Sequence, residues 1–178
     1  HHCMLPQPCA WVFGHEGQGI AQALLERFQM MAFLNRGLEL RFVDKREGQS
    51  HEPVVYRYAG GLSDFVKHLN QSKEPLFKQV IHFEMAEEEQ EIEIALQWND
   101  GYQENIHSFA NNINTHDGGT HLVGLKSALT RSVNAYASAA GLAKDANDQI
   151  QGEDTREGLC AVVSVKVPEP QFQGQTKG

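Results

Sequence analysis

Residues 91–98 constrain this chain more than any other stretch. Ile92, Ile94, Leu96 and Trp98 alternate with Glu91, Glu93, Ala95 and Gln97. A period of two sends successive side chains to opposite faces of an extended strand. The apolar set is expected to face a core, and the other set to face water. Asn99-Asp100-Gly101 follows at once, a run that favours a tight turn. A sheet is therefore required, and its cover must come from elsewhere in the chain.

Other segments supply both. Residues 80–85 predict a neighbouring strand, reached across the acidic turn 86–90, whose Glu87-Glu88-Glu89 run suits a solvated hairpin tip. Residues 104–112 are a strand candidate after the turn. The valine-rich segment 159–167 predicts a central strand, ended by Pro168-Glu169-Pro170. Leu38, Leu40 and Phe42 alternate with Glu39, Arg41 and Val43, and residues 54–58 read as the returning strand of a hairpin. Helical periodicity begins near Ile20, with Leu24, Phe28, Met31 and Leu34 on the same face and Gly37 as a left-handed stop. Leu62, Phe65, Val66 and Leu69 mark a short second helix.

Residues 121–140 predict a long helix with Thr120 as N-cap and Gly141 as stop. At 100° per residue, Leu122, Leu125, Leu129, Val133, Tyr136 and Ala140 fall within about 80° and form its expected buried stripe. Residues 145–156 predict a loop or helical turn. The element order gives an α+β domain over residues 20–170, a mixed β-sheet packed with helices. No internal repeat or linker divides it.

Composition narrows the function. The chain of 178 residues can bury one core. No apolar run reaches the roughly 18 residues of a membrane span. With 15 basic and 23 acidic residues the formal charge is −8, so a general phosphate-backbone binder is excluded. Any nucleic-acid contact must come from a local patch. Cys3, Cys9 and Cys160 form no disulfide framework and suit a reducing compartment, the cytoplasm. Residues 1–19 lack periodicity and read as a leader, with His1 and His2 as the remnant of a tag. Their histidines and cysteines (His1, His2, Cys3, Cys9, His15) match no zinc spacing.

The chain carries no Walker loop, no Gly-x-Gly-x-x-Gly and no nucleophile elbow. His116, Asp117 and His121 flank Gly118-Gly119, where a catalytic or metal site competes with a plain loop turn and helix start. On the long helix, Arg131 lies opposite the apolar stripe and Lys126 on its flank. Both are candidates for a phosphate backbone, or else solubilising charges. Gln175, Thr176 and Lys177 sit in a polar segment beyond the last strand, where a lysine can aim a compact charge at a phosphate.

Several of these segments are also familiar motifs. They are Ala32-Phe33-Leu34-Asn35-Arg36-Gly37-Leu38, Asp44-Lys45-Arg46, Tyr58-Ala59-Gly60-Gly61, Gln97-Trp98-Asn99-Asp100-Gly101-Tyr102 and the run 108–121 with Asn-Thr-His-Asp-Gly-Gly-Thr-His. Residues 153–158 and 163–177, ending Gln-Thr-Lys, complete the set. In this order they resemble the bacterial DNA gyrase B family over residues 20–178. The matching part is the transducer domain, second in that family's N-terminal ATPase region. The corresponding protein of topoisomerase IV shares most of the motifs, but Gln97-Trp98-Asn99-Asp100 and His121-Leu122 are more like gyrase.

The resemblance implies a fold like the second domain of ribosomal protein S5, with residues 20–170 as transducer. It implies that residues 171–178 are an ATP-contacting loop cut short by the chain's end. Gln175, Thr176 and Lys177 would contact ATP, with Gln175 and Lys177 on the γ-phosphate and Lys177 catalytic. Lys126, where some members carry arginine, and Arg131 would face DNA. The full protein would be an ATP-hydrolysing type IIA topoisomerase that introduces negative supercoils, with ATP and Mg²⁺ as cofactors. Its partners would be double-stranded DNA, the gyrase A protein and a second copy of gyrase B in an ATP-dependent homodimer, with no membrane. Most of the nucleotide site would lie in the preceding domain, so these residues alone are expected to be inactive. A ribosomal-type RNA-binding module shares the fold, but the −8 charge and the lack of a basic, aromatic-studded face weigh against it.

Overall fold

The computed structural model describes residues 18–45, 52–142 and 149–172. Eleven elements follow in order: α1 (Gln18–Leu34), β1 (Glu39–Phe42), β2 (Val54–Arg57), α2 (Leu62–Leu69), β3 (Ile81–Glu87), β4 (Gln90–Trp98), β5 (Asn105–Ala110), β6 (Ile113–Asn114), α3 (Thr120–Ala139), α4 (Gly152–Arg156) and β7 (Leu159–Lys166). The α+β class read from the sequence is the one observed.

The strands form two sheets where one was expected. β1 and β2 pair only with each other, antiparallel. The other five run in the order β3-β4-β7-β5-β6. β7 is central, as its valines predict, and residues 159–164 are all buried. It pairs antiparallel with β4 and parallel with β5, so the sheet is mixed.

Both faces of this sheet are covered. Phe33 and Leu34 of α1 and Leu62, Phe65 and Val66 of α2 pack on Ala95, Phe109, Cys160 and Val162. On the opposite face Leu96, Leu159 and Ala161 gather Ile94, Trp98, Ile106 and Leu129. The expectation that one side of β4 faces water is therefore corrected. Ala95 is fully buried and Gln97 is 3% exposed, because α2 lies over them. Burial also pushes the Cys160 thiol up to about 11.

Local backbone chemistry moves two boundaries and confirms a third. The strand expected over 104–112 ends at Ala110, because Asn111 and Asn112 take φ of 49° and 64°. Two consecutive left-handed residues between paired strands make the two-residue hairpin turn that suits sheet twist. The chain reverses there into the short strand β6. Thr120 is not the N-cap of α3 but its first residue, and Gly119 caps without a side-chain bond. A Cβ on Gly119 would sit 2.7 Å from Cε1 of His121, so the glycine makes room for that ring. Gly141 does stop α3: its N–H donates to the Ser138 carbonyl at 3.1 Å, and that of Leu142 to Ala137 at 2.8 Å.

The apolar stripe of α3 is used only in part: Leu122, Leu125, Leu129 and Val133 are half-buried and Leu129 packs on the core, but the stripe's C-terminal end is not covered. Tyr136 is 71% exposed and Ala140 is exposed too. Further contacts follow Lys126, Thr130, Asn134 and Ala137, about a quarter turn away at 100° per residue. The Asn134 carboxamide accepts from the Ile150 N–H and donates to the Ile150 carbonyl, both at 2.9 Å. Hydrogen bonds to α4 and its approach, not greasy packing, orient the C-terminal half of the helix.

Candidate functional site

One charged cluster joins three elements. Glu104, just before β5, accepts from Lys126 Nζ at 2.6 Å and from Arg156 Nε at 2.7 Å. Lys126 belongs to α3 and Arg156 to the end of α4. Burial raises the Glu104 pKa, but the hydrogen bonds and charges of the two cations outweigh it and leave it below 4.5. The folded value is thus lower than the unfolded one. Its stabilisation is present above the ordinary carboxylate range and is lost as pH falls through the folded value. Glu104 is 40% exposed, so the effect is small. We expect Glu104→Gln to cost about 1 kcal/mol at low salt and less at high salt, read as the urea midpoint.

Lys126 is therefore already neutralised within the chain. Arg131 is exposed and makes no ion pair with any described residue. Five residues apart on a helix, the two cations point about 140° apart.

The His116, Asp117 and His121 constellation does not assemble. His116 and Asp117 are exposed, whereas His121 turns inward. Ser108 donates to the Thr115 carbonyl and Thr115 to the Ser108 carbonyl, each at 3.1 Å. The two hydroxyl oxygens also share a hydrogen bond at 2.7 Å, and Thr115 Oγ1 hydrogen-bonds His121 Nε2 at 3.1 Å. Burial lowers the His121 pKa, and burial followed by the charge of His116 lowers that of His107. This is a satisfied structural network that fastens the start of α3 to β5.

A second buried network lies under the Gln97–Gly101 motif. Asn70 donates to Gln97 at 3.0 Å, Asn99 donates to Asn70 at 3.0 Å, and Gln97 donates to the Phe77 carbonyl at 2.8 Å. The Asn99 side chain also accepts from the Gly101 N–H at 2.8 Å. Gly158, with φ of 72°, lies against this turn: a Cβ there would press on the carbonyl oxygens of Asn99 and Gly101. The motif residues thus meet across the fold for structural reasons.

Gln175, Thr176 and Lys177 lie outside the described residues, as do His1, His2, Cys3, Cys9 and His15. Among the described residues no group of three or more His, Cys, Asp or Glu is placed to hold a metal ion. None of their helices is long and apolar enough to cross a membrane.

The family model described as DNA gyrase B matches residues 61–178. The chain belongs to the DNA gyrase B family. The gyrase B protein of Clostridium acetobutylicum is 51% identical over 155 residues, covering 86% of this chain and 24% of that protein. Among solved structures, the 43K ATPase domain of Thermus thermophilus gyrase B, in complex with an aminocoumarin, superposes with a TM-score of 0.77 at 38% identity. That match covers 86% of this chain and 41% of the other. A topoisomerase IV ATP-binding domain from Francisella tularensis reaches 0.69 at 26% identity, over 88% of this chain and 41% of that one. The chain thus spans about a quarter of the length of its first curated gyrase B relatives. The mixed sheet packed with helices is the ribosomal protein S5 domain 2-like arrangement expected of a gyrase B chain.

Within this gyrase B frame, sequence reasoning misses Glu104 and Asn70. Neither stands in a recognisable motif, and each acquires its role only when the sheet brings distant segments together.

Proposed function

We propose that residues 20–170 are the transducer domain of a gyrase B protein and that residues 171–178 carry its ATP-contacting loop. The observation that carries this reading is that the gyrase B match runs through residue 178 and so takes in Gln175, Thr176 and Lys177.

In this reading Lys177 holds its ammonium against the terminal phosphate of ATP, and Gln175 adds an amide donor. Charge-assisted hydrogen bonds are worth about 1.5–3 kcal/mol each. They exist only while that phosphate is attached. A contact that differs between two nucleotide states can bias a domain movement, whereas one that is equal in both cannot. ATP with its Mg²⁺ supplies the phosphoryl chemistry, and the rest of that site is assigned to the preceding domain of the complete protein. The coupled event is passage of double-stranded DNA through a homodimeric clamp that works with the gyrase A protein and leaves the DNA negatively supercoiled. Arg131, unpaired among the described residues, is the stronger of the two cation candidates for DNA. Lys126 must first leave Glu104.

The test compares ATP turnover by the 178-residue chain with turnover by a complete gyrase B protein containing it. Turnover is expected only in the complete protein. Turnover by the short chain would place a whole active site within these residues and end the reading.

A further inference from the structure

We infer that Asn111 is a positioning residue for the segment that bears Gln175, Thr176 and Lys177, because its carboxamide clamps the chain where it leaves β7. The inference rests on the ATP-loop reading above. β7 ends at Lys166, and on its parallel side the neighbouring strand has already given out: Val165 faces Ala110 at the end of β5, while on the other side Lys166 still faces Glu91 of β4. The backbone groups of Val167 would otherwise lack partners there. Asn111 supplies them. The Val167 N–H donates to Oδ1 of Asn111 at 2.8 Å, and Nδ2 of Asn111 donates to the Val167 carbonyl at 2.9 Å. The Asn111 N–H donates in addition to the Val165 carbonyl at 2.8 Å. One carboxamide thus acts as an extra peptide group and prolongs the ladder by a residue.

The residue type fits this task closely. The backbone at Asn111 has φ of 49°, which asparagine and glycine tolerate best. Glycine would keep the turn and lose both side-chain bonds. Aspartate would keep the acceptor and lose the donor. The clamp is also held from the other side. Asn112 donates to Oδ1 of Asn35 at 3.2 Å, and Asn35 donates to the Met31 carbonyl at 2.9 Å. The hairpin turn therefore ties the exit of β7 to the C-terminal end of α1. From Val167 to Lys177 the chain can span at most about 36 Å. Fixing the direction in which that span departs reduces the ordering that binding must supply.

The experiment uses the complete gyrase B protein with three variants. Asn111→Gly should raise the KM for ATP about three- to tenfold with kcat less affected, and leave the thermal midpoint within a few degrees. Asn111→Asp should recover part of that loss. Lys177→Ala is the reference for the loop itself. Unchanged KM in Asn111→Gly, beside a Lys177→Ala variant that has lost turnover, overturns the positioning role and leaves the loop reading standing. Full turnover in Lys177→Ala overturns the reading on which the inference rests. Hydrogen exchange in the unmutated protein decides the matter even if Asn111→Gly does not fold. A protected Val167 amide supports the clamp, and an amide exchanging as freely as an unpaired one removes it.

Discussion

Lys177→Ala in the complete protein is expected to lower ATP turnover by about 10²–10³-fold, the cost of removing one donor aimed at developing negative charge. The reason is electrostatic. Charge grows on the phosphate oxygens as the terminal bond breaks, and a fixed ammonium costs nothing to reorganise at that moment. The Gln175 amide beside it carries no net charge and cannot substitute. Lys177→Arg keeps the charge in a broader, planar head and should restore only part of the rate. If the role is electrostatic rather than structural, the thermal midpoint is expected to be unchanged. Steady-state turnover and a melting curve on the same preparation check both halves. Turnover within about twofold of the unmutated rate would remove Lys177 from the chemistry.

Phe33→Ala is expected to destabilise the fold by about 3–5 kcal/mol. Phe33 is 1% exposed. Its ring stacks on Tyr58 at 3.6 Å and on Phe65 at 4.7 Å between centroids, with His68 at 5.4 Å. It joins α1, the segment leaving β2 and α2 over one face of the sheet. Truncation leaves a cavity among three elements that cannot all move inward. Phe33→Leu retains most of the volume and should cost less than about 1.5 kcal/mol. The urea midpoint should fall in the alanine variant with an unchanged slope. A loss under about 1 kcal/mol would mean that α1 contributes little to this core.

The legible parts of the fold are those whose cause is local. The period of β4, the valines of β7 and the stop at Gly141 each follow from a few neighbouring residues, and each is observed. Parts decided by tertiary partners read differently. Gln97 sits on the polar side of an alternating strand, yet α2 and Asn70 bury it. Tyr136 belongs to a regular apolar stripe, yet Asn134 and Thr130 set the orientation of α3 and leave the tyrosine in solvent. The turn at Asn111 and Asn112 lies inside an otherwise strand-like run, and only the positive φ of both residues breaks it. At the site the division is similar. Lys126 and Arg131 are visible as cations on a helix, but the neutralisation of one and not the other depends on Glu104, 22 residues from Lys126. Gln175, Thr176 and Lys177 have no periodic or capping signature. They stand out only through likeness to relatives.

The place of β7 in the sheet also fixes an order of assembly. β3 and β4 form one antiparallel pair, β5 and β6 another, and the two pairs meet only through β7. All four of those strands precede it in the chain by at least 45 residues, counted from Asn114 to Leu159. Until residues 159–166 arrive, β4 and β5 each present an open edge, and neither hairpin has a core between them. Pairings of such sequence separation are slow, because the intervening chain must be closed before they return any energy. During synthesis the two ribbons thus stay unattached from Asn114 until β7 has been added. A single late strand, inserted between them like a wedge, turns them into one sheet, and the exposed edges before that moment are where chaperones or misfolding would act.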